Sequence, residues 1–316
     1  MVVHLPVLLN EAIDALAIKT DGVYVDGTFG YGGHSRLILS RLGKKGRLIA
    51  FDKDLAAIKA AAMIDDKRFS IRHCSYVKIQ NELLALRVER VDGVLLDLGV
   101  SSSQLDESTR GFSFRLEGPL DMRMDTSCGQ TAAEWLNSVT ESQLEEVIRN
   151  YGEERNAKQI ARAIVMARAR HPISSTIQLA EIVAAVVRAR GYQREGKHHP
   201  ATRTFQAIRI YLNQELEELL LTLPQCVDLL NPGGRLVAIS FHSLEDRIVK
   251  RFMRTEASSD RLPHKLPLRD REVKALSKQR LRLVGKATRP GAQEIAVNPR
   301  ARSAVMRVAE RIIISE

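Results

Sequence analysis

Apolar runs of strand length recur through the first hundred residues: Val23–Asp26, Arg47–Asp52, Phe69–Cys74 and Val91–Asp97. Between them lie segments with apolar residues at helical spacing, such as Leu37, Ile38 and Leu42, or Ala56, Ile58 and Ala62. Strands alternating with helices predict a parallel α/β sheet. The rhythm changes at Leu105. An irregular stretch bearing arginines and methionines runs to Met124, too long for a mere connection and so a functional-loop candidate. Helical patterns follow, opened by the capping boxes Thr131/Glu134, Thr140/Gln143 and Ser175/Gln178. The α/β pattern then resumes with a helix over Thr204–Leu223, another through Leu230, an Asn-Pro-Gly-Gly turn, a strand over Arg235–Phe241 and a closing strand over Ser303–Glu310. The expected organisation is a sheet domain in two parts, 1–104 and 204–316, around a helical insertion, 105–203.

The sharpest local feature is Val23–Ser35, where a strand ends at Asp26, four glycines follow within seven residues and a helix begins. Gly27, Gly30, Gly32 and Gly33 allow positive φ and leave no Cβ in the way of a ligand, and the helix start offers N–H groups to an anion. A dinucleotide fingerprint fails because Ser35 stands at its third glycine, and no P-loop lysine follows. An acid before Gly-x-Gly instead fits the loop of S-adenosylmethionine (SAM) methyltransferases. Ligands of open α/β sheets sit beyond the carboxyl ends of the strands, so Asp26, Asp52, Tyr76 and Asp97 are expected to face one crevice. Asp52 is placed to accept from ribose hydroxyls, and Tyr76 to lie against an adenine. Asp54 reads as a helix cap.

Charge and cysteines narrow the class. The 316-residue chain carries a formal charge of +10, with a pI near 9.7, which favours a polyanionic partner such as nucleic acid. Arg155, Lys158, Arg162, Arg168 and Arg170 are spaced to form a stripe, and a basic region from Arg247 to Arg302 is expected to hold a loop that orders on RNA. Cys74, Cys128 and Cys226 are too far apart for a disulfide framework or a zinc site and suit a reduced cytoplasm. His198 and His199 lack a carboxylate at ligand spacing, so no metal is expected. No signal peptide or membrane span is read.

Seven stretches in order resemble the RsmH (MraW) family: Asp26-Gly-Thr-Phe-Gly-x-Gly-Gly-His-Ser, Asp97-Leu-Gly-Val-Ser-Ser, Arg110-Gly-Phe-Ser-Phe, Gly118-Pro-Leu-Asp-Met-Arg-Met, His199-Pro-Ala-Thr-Arg-Thr-Phe-Gln-Ala, Ser240-Phe-His-Ser-Leu-Glu-Asp-Arg and Asn298-Pro-Arg-Ala-Arg-Ser. The resemblance implies a Rossmann-like class I SAM-dependent methyltransferase sheet with an inserted helical domain. It further implies a cytoplasmic rRNA (cytosine-N(4)-)-methyltransferase that modifies a decoding-centre cytidine of 16S rRNA within the small ribosomal subunit, with a homodimer as a candidate assembly. Gly32, Gly33, His34, Asp52, Tyr76, Asp97 and Gln104 are the implied SAM contacts.

For the reaction, Asp97 is the candidate catalytic residue, either the acceptor for the amino hydrogens of the base or a SAM-facing acid. Its sequence context lacks the aromatic wall found in many amino-methyltransferases, so Phe112, Phe114 or Phe241 is expected to supply one. Methylation at cytosine carbon-5 would call for a nucleophilic cysteine in a matching motif, which none of the three occupies. The remaining classes are a nicotinamide oxidoreductase, disfavoured by Ser35, a non-catalytic RNA-binding factor, and a DNA amino-methyltransferase.

Overall fold

The computed structural model describes residues 6–189, 199–258 and 279–313. The chain divides into two units, residues 1–99 with 216–316 and residues 100–215. Element bounds, in chain order, are α1 Leu9–Leu16, β1 Val23–Asp26, α2 Gly33–Arg41, β2 Arg47–Asp52, α3 Leu55–Ala61, β3 Phe69–His73, α4 Ile79–Ala85 and β4 Val91–Asp97. Then come α5 Ser102–Asp106, α6 Ala132–Ser138, α7 Glu141–Gly152, α8 Ala157–Arg168, α9 Thr176–Ala189, α10 Thr202–Asn213 and α11 Glu215–Leu229. The chain closes with β5 Leu230–Ser240, α12 Ser243–Glu256, β6 Leu281–Leu283, α13 Ala292–Val297 and β7 Val305–Arg311.

The first unit is built on a seven-stranded sheet of order β3-β2-β1-β4-β5-β7-β6. The first five strands are parallel; β7 runs antiparallel to β5 and β6. Strands buried on both faces explain the near-continuous apolar runs Leu48–Phe51 and Val94–Leu96. Their side chains alternate between two cores. Val25, Ile49, Leu96 and Ala238 pack with α4 and α11 residues such as Leu83 and Leu223, whereas Tyr24, Leu48, Leu95 and Ile239 pack with Ile13 of α1 and Ile38 of α2. The reversal of strand order lies at β1 and β4, where crossovers leave in opposite directions and an open sheet leaves its crevice. The Asn231-Pro-Gly-Gly stretch is a bulge inside β5: Val91 pairs with Leu230 and Gly93 with Arg235, and Gly233 takes φ +77°. The Asp92 carboxylate pins this end by accepting from the Val23 N–H at 3.0 Å and Lys19 Nζ at 2.8 Å.

The second unit is helical. Its core gathers Leu136, Leu144, Ile148, Ile160, Ile164, Leu179 and Ile208 from α6 to α10, with Trp135 against Tyr211 at a centroid distance of 4.9 Å. The observed unit boundaries, 99/100 and 215/216, differ from the expected 105 and 203. The physical reason is that α10 buries Phe205, Ala207 and Ile208 in the helical core, so it belongs to this unit. The expected single helix over Thr204–Leu223 is also two helices. Gln214 takes a left-handed φ of +53° after α10. Asn213 fixes that break, its amide donating to the Met122 carbonyl at 2.8 Å and accepting from the Met124 N–H at 2.7 Å. Two of the three arginines of the irregular stretch, Arg110 and Arg123, are structural, while Arg115 is exposed. Arg110 donates to the carbonyls of Arg123 and Met124, each at 3.0 Å, and Arg123 pairs with Asp121 through two bonds of 2.8 Å. Among the described residues no helix is long and apolar enough to cross a membrane. Part of the basic region, 259–278, and His198 lie outside the described residues.

Candidate active site

The site is built where β1 turns into α2. Gly30 takes φ +57° and Gly32 φ +74°, conformations that L side chains rarely adopt. Only Gly30, of the four loop glycines, has open space where a Cβ would stand. The other three make room for protein: a Cβ on Gly27 would lie 2.5 Å from Leu96, on Gly32 2.6 Å from the Phe29 ring, and on Gly33 2.1 Å from Pro6. The expectation that all four clear a path for a ligand is therefore corrected.

The loop is braced from below by two acids. Asp26 is buried, accepting from the Thr28 N–H at 3.1 Å and from Ser35 Oγ at 2.6 Å. Ser35, the residue that breaks the dinucleotide fingerprint, is thus the tie between strand and helix. Asp52 accepts from the Gly30 N–H at 2.7 Å and the Asp54 N–H at 2.8 Å, and Asp54 caps α3 through the Ala56 N–H. Each Asp52 oxygen keeps a second lone pair for a hydroxyl. Burial is the main reason both acids are pushed up to about 6, with the hydrogen bonds opposing it.

Asp97 ends β4, next to β1. Thr28 Oγ1 accepts from its backbone N–H at 2.6 Å, which ties β4 to the glycine loop. One carboxylate oxygen, Oδ2, lies 3.7 Å from His34 Nδ1, while His34 Nε2 lies 3.2 Å from the Val7 carbonyl. A carbonyl only accepts, so that contact places the imidazole proton on Nε2 and points Nδ1 toward Asp97. The other oxygen, Oδ1, is buried and has no hydrogen-bond partner among the described residues. Burial, followed by the charges of Asp26 and Glu245, pushes the Asp97 carboxyl well above its usual value. An unpartnered buried carboxylate oxygen is costly unless a ligand completes it. Its side chain keeps 19% exposure, so a ligand can reach the group.

Tyr76 starts a 3₁₀ turn (Tyr76–Lys78) beyond β3, with its Cβ 3.4 Å from where a Cβ on Gly27 would stand. The structure thus brings Gly32, Gly33, His34, Asp52, Tyr76 and Asp97 to the carboxyl edge of β3-β2-β1-β4. Gln104 lies in the helical unit, where its amide oxygen accepts from the Ser101 N–H at 2.9 Å in a capping box. Of the three aromatic candidates, Phe112 is in the helical core, and Phe114 packs on Phe205 and His199 at 4.9 and 4.5 Å. Phe241 sits beyond β5, 3.7 Å from the position of a Cβ on Gly99.

Two contributors escaped sequence reasoning. Thr28 reads as an ordinary turn residue. Glu245 is buried and accepts from the N–H groups of Phe241 at 2.7 Å and His242 at 3.3 Å, fixing the turn after β5. Its signal was the capping-box spacing from His242.

The thiols do not suit nucleophilic work. Burial pushes Cys226 up to about 12 and raises Cys74, and the neighbouring Asp125 carboxylate raises Cys128. Each is held away from the thiolate form.

The family model described as the MraW methylase family matches residues 1–312. The chain is 70% identical over 309 residues to the ribosomal RNA small subunit methyltransferase H of Nitrosomonas europaea, covering 98% of this chain and 97% of that protein. Proteins of the same name from Nitrosospira multiformis and Thiobacillus denitrificans are 67% and 59% identical, again covering 98% of this chain and 97% of each relative. Strand order, glycine loop and a match across nearly the whole sequence agree: the chain belongs to the MraW methylase family.

Proposed function

We propose that this protein methylates the exocyclic N4 amino group of a cytidine in the decoding centre of 16S rRNA, with SAM as methyl donor and Asp97 as catalytic acceptor. Methylation of small-subunit rRNA is the activity named for its relatives at 56–70% identity. The observation that carries the finer reading is the Asp97 carboxylate at the end of β4, tied to the glycine loop through the Thr28 hydroxyl, with Oδ1 lacking a hydrogen-bond partner among the described residues. The same features suit the cofactor: space at Gly30, acceptors on Asp52, and the Tyr76 ring. Gln104 is a proposed cofactor contact on the resemblance alone.

When bound, SAM supplies an electrophilic methyl group on a positively charged sulfur. The chain's own work is then positioning and proton handling, and good positioning lowers a barrier by roughly 7–11 kcal/mol. A cytosine amino nitrogen delocalises its lone pair into the ring. The Asp97 carboxylate, accepting one amino hydrogen, favours the pyramidal and more nucleophilic nitrogen, and the same group takes the proton that nitrogen releases after transfer. Its raised pKa makes that transfer more favourable than to an ordinary carboxylate. With its proton on Nε2, His34 presents the Nδ1 lone pair 3.7 Å from Oδ2, so the two groups attract only while one of them carries an added proton. Phe241 is the aromatic candidate for the base. The exposed side chains of Arg155, Lys158 and Arg162 on and before α8 suit contact with RNA phosphates.

The test is nucleoside mass spectrometry of small-subunit RNA from cells lacking the protein, before and after adding purified enzyme and SAM. N4-methylated cytidine restored at one decoding-centre position is the expected result. A methyl group on carbon-5, or no transfer to RNA alongside transfer to DNA, overturns the reading.

A further inference from the structure

At the opposite edge of the same sheet is a depression of about 520 Å³ lined by Gln80, Glu89, Arg90, Asp228, Leu229 and Arg311. Three of its residues stand at the sheet edge opposite the carboxyl ends that hold Asp26, Asp52 and Asp97: Arg90 precedes β4, Leu229 precedes β5, and Arg311 ends the antiparallel β7, while Gln80 comes from α4 and Asp228 from α11. The seven residues of β4 separate the two edges by about 20 Å at the usual rise per residue.

The acids there are only partly available to neutralise the pocket. Arg280, just before β6, donates to Asp228 Oδ1 and Glu256 Oε2, each at 2.6 Å. Arg90 donates to the Asp228 carbonyl and has no described carboxylate partner. Arg311 Nη1 is buried and has no hydrogen-bond partner among the described residues. Glu89 is exposed at the rim. Burial and the guanidinium groups of Arg280 and Arg90 hold Arg311 below its ordinary pKa, and Asp228 and Glu256 offset this only in part. The field at Arg311 is therefore that of an incomplete cluster, and an anion placed there satisfies the orphaned N–H.

We propose that Arg311 and Arg90 form a phosphate-binding site, remote from the methyl-transfer crevice, that takes a phosphodiester of the RNA substrate or a free phosphate ion. A guanidinium fork matches the spacing of two phosphate oxygens, which a lysine at the same place would not. The RNA source rests on the function proposed above, whereas the anion site itself does not.

The test uses the full chain and the variants Arg311→Gln and Arg90→Gln. Thermal unfolding in inorganic phosphate is compared with chloride at equal ionic strength, and binding of a decoding-region RNA transcript is titrated across about 50 to 200 mM salt. With an RNA phosphate in the site, each variant lowers the slope of log affinity against log salt by about 0.7–0.9. An unchanged slope, with a phosphate-induced rise in Tm that both variants lose, assigns the site to free phosphate. If neither the slope nor the phosphate response differs from wild type in either variant, the site does not exist. Arg90→Gln keeps the test open should Arg311→Gln fail to fold, because Arg90 is exposed. SAM affinity and the methylated position are read on the same samples. Normal cytidine methylation with an unchanged slope and phosphate response overturns the phosphate site alone, and a reduced slope without cytidine methylation overturns the cytidine reading alone.

Discussion

Replacing Asp26 with asparagine isolates the cost of holding a charge beneath the glycine loop. Burial raises this carboxyl from 3.8 to about 6 in the folded chain. A raised acid pKa means that the folded state binds the proton more tightly, so its contribution to stability is full below pH 3.8 and is lost as pH rises through about 6. The difference of about 2.2, at 1.36 kcal/mol per pH unit, amounts to about 3 kcal/mol. Asparagine can keep both bonds, its oxygen accepting from the Thr28 N–H and its amide donating to Ser35 Oγ. Asp26→Asn should therefore gain about 3 kcal/mol relative to wild type between pH 4 and pH 7, with no further gain above. Tryptophan fluorescence is unsuitable, since the single tryptophan, Trp135, belongs to the helical unit. Native-state hydrogen exchange followed on peptides covering 23–35 reads the correct unit. A difference that stays flat with pH, or a variant less stable than wild type at pH 7, would refute the argument.

The other predictions concern the reaction, the loop and the helical unit. Asp97→Ala should lower turnover about 10²–10⁴-fold while calorimetry finds SAM affinity within a few fold of wild type. An equal loss in both makes Asp97 a cofactor ligand only. Because Asp26 and Asp52 are both raised to about 6, binding of cationic SAM at pH 6 should release protons, and its neutral product should release fewer. Calorimetry in buffers of different ionisation enthalpy counts them, and equal proton release by the two ligands counts against this reading. Gly33→Ala should destabilise the first unit by roughly 1–3 kcal/mol, since the new Cβ meets Pro6 at 2.1 Å, with denaturant unfolding followed by circular dichroism as the check. Arg162→Ala should leave SAM affinity unchanged and reduce the salt slope of RNA binding by about 0.7–0.9, measured by fluorescence anisotropy.

The strands and their acids were legible because burial on both faces writes an unbroken apolar run, and the chain must then stop at a polar residue where the sheet ends. Asp97 and Asp52 fall at such ends, and the parallel rule puts them on one edge without any knowledge of contacts. Less legible was what each glycine is for. A glycine that accommodates Pro6 looks the same in sequence as one that opens onto a ligand, because the difference lies in residues brought near only by folding. The break at Gln214 was hidden for a related reason: the apolar spacing runs straight through it, and the Asn213 bonds that fix it reach back some ninety residues. Phe112 likewise sat in a motif that suggested base contact, yet its surroundings make it a core residue of the helical unit.

The loop amides are largely spoken for before any cofactor arrives. Gly27 N–H bonds the Leu95 carbonyl at 2.9 Å, Phe29 N–H the Phe51 carbonyl at 2.9 Å, and Gly32 N–H the Phe29 carbonyl at 2.8 Å, beside the Thr28 and Gly30 bonds to aspartates. The turn is thus stitched into the ladders on either side of β1 and behaves as a finished socket rather than a flap. Cofactor capture spends little entropy on ordering it, so exchange of SAM for its spent form is governed by departure of the molecule itself, and deuterium uptake at these amides should barely change on loading.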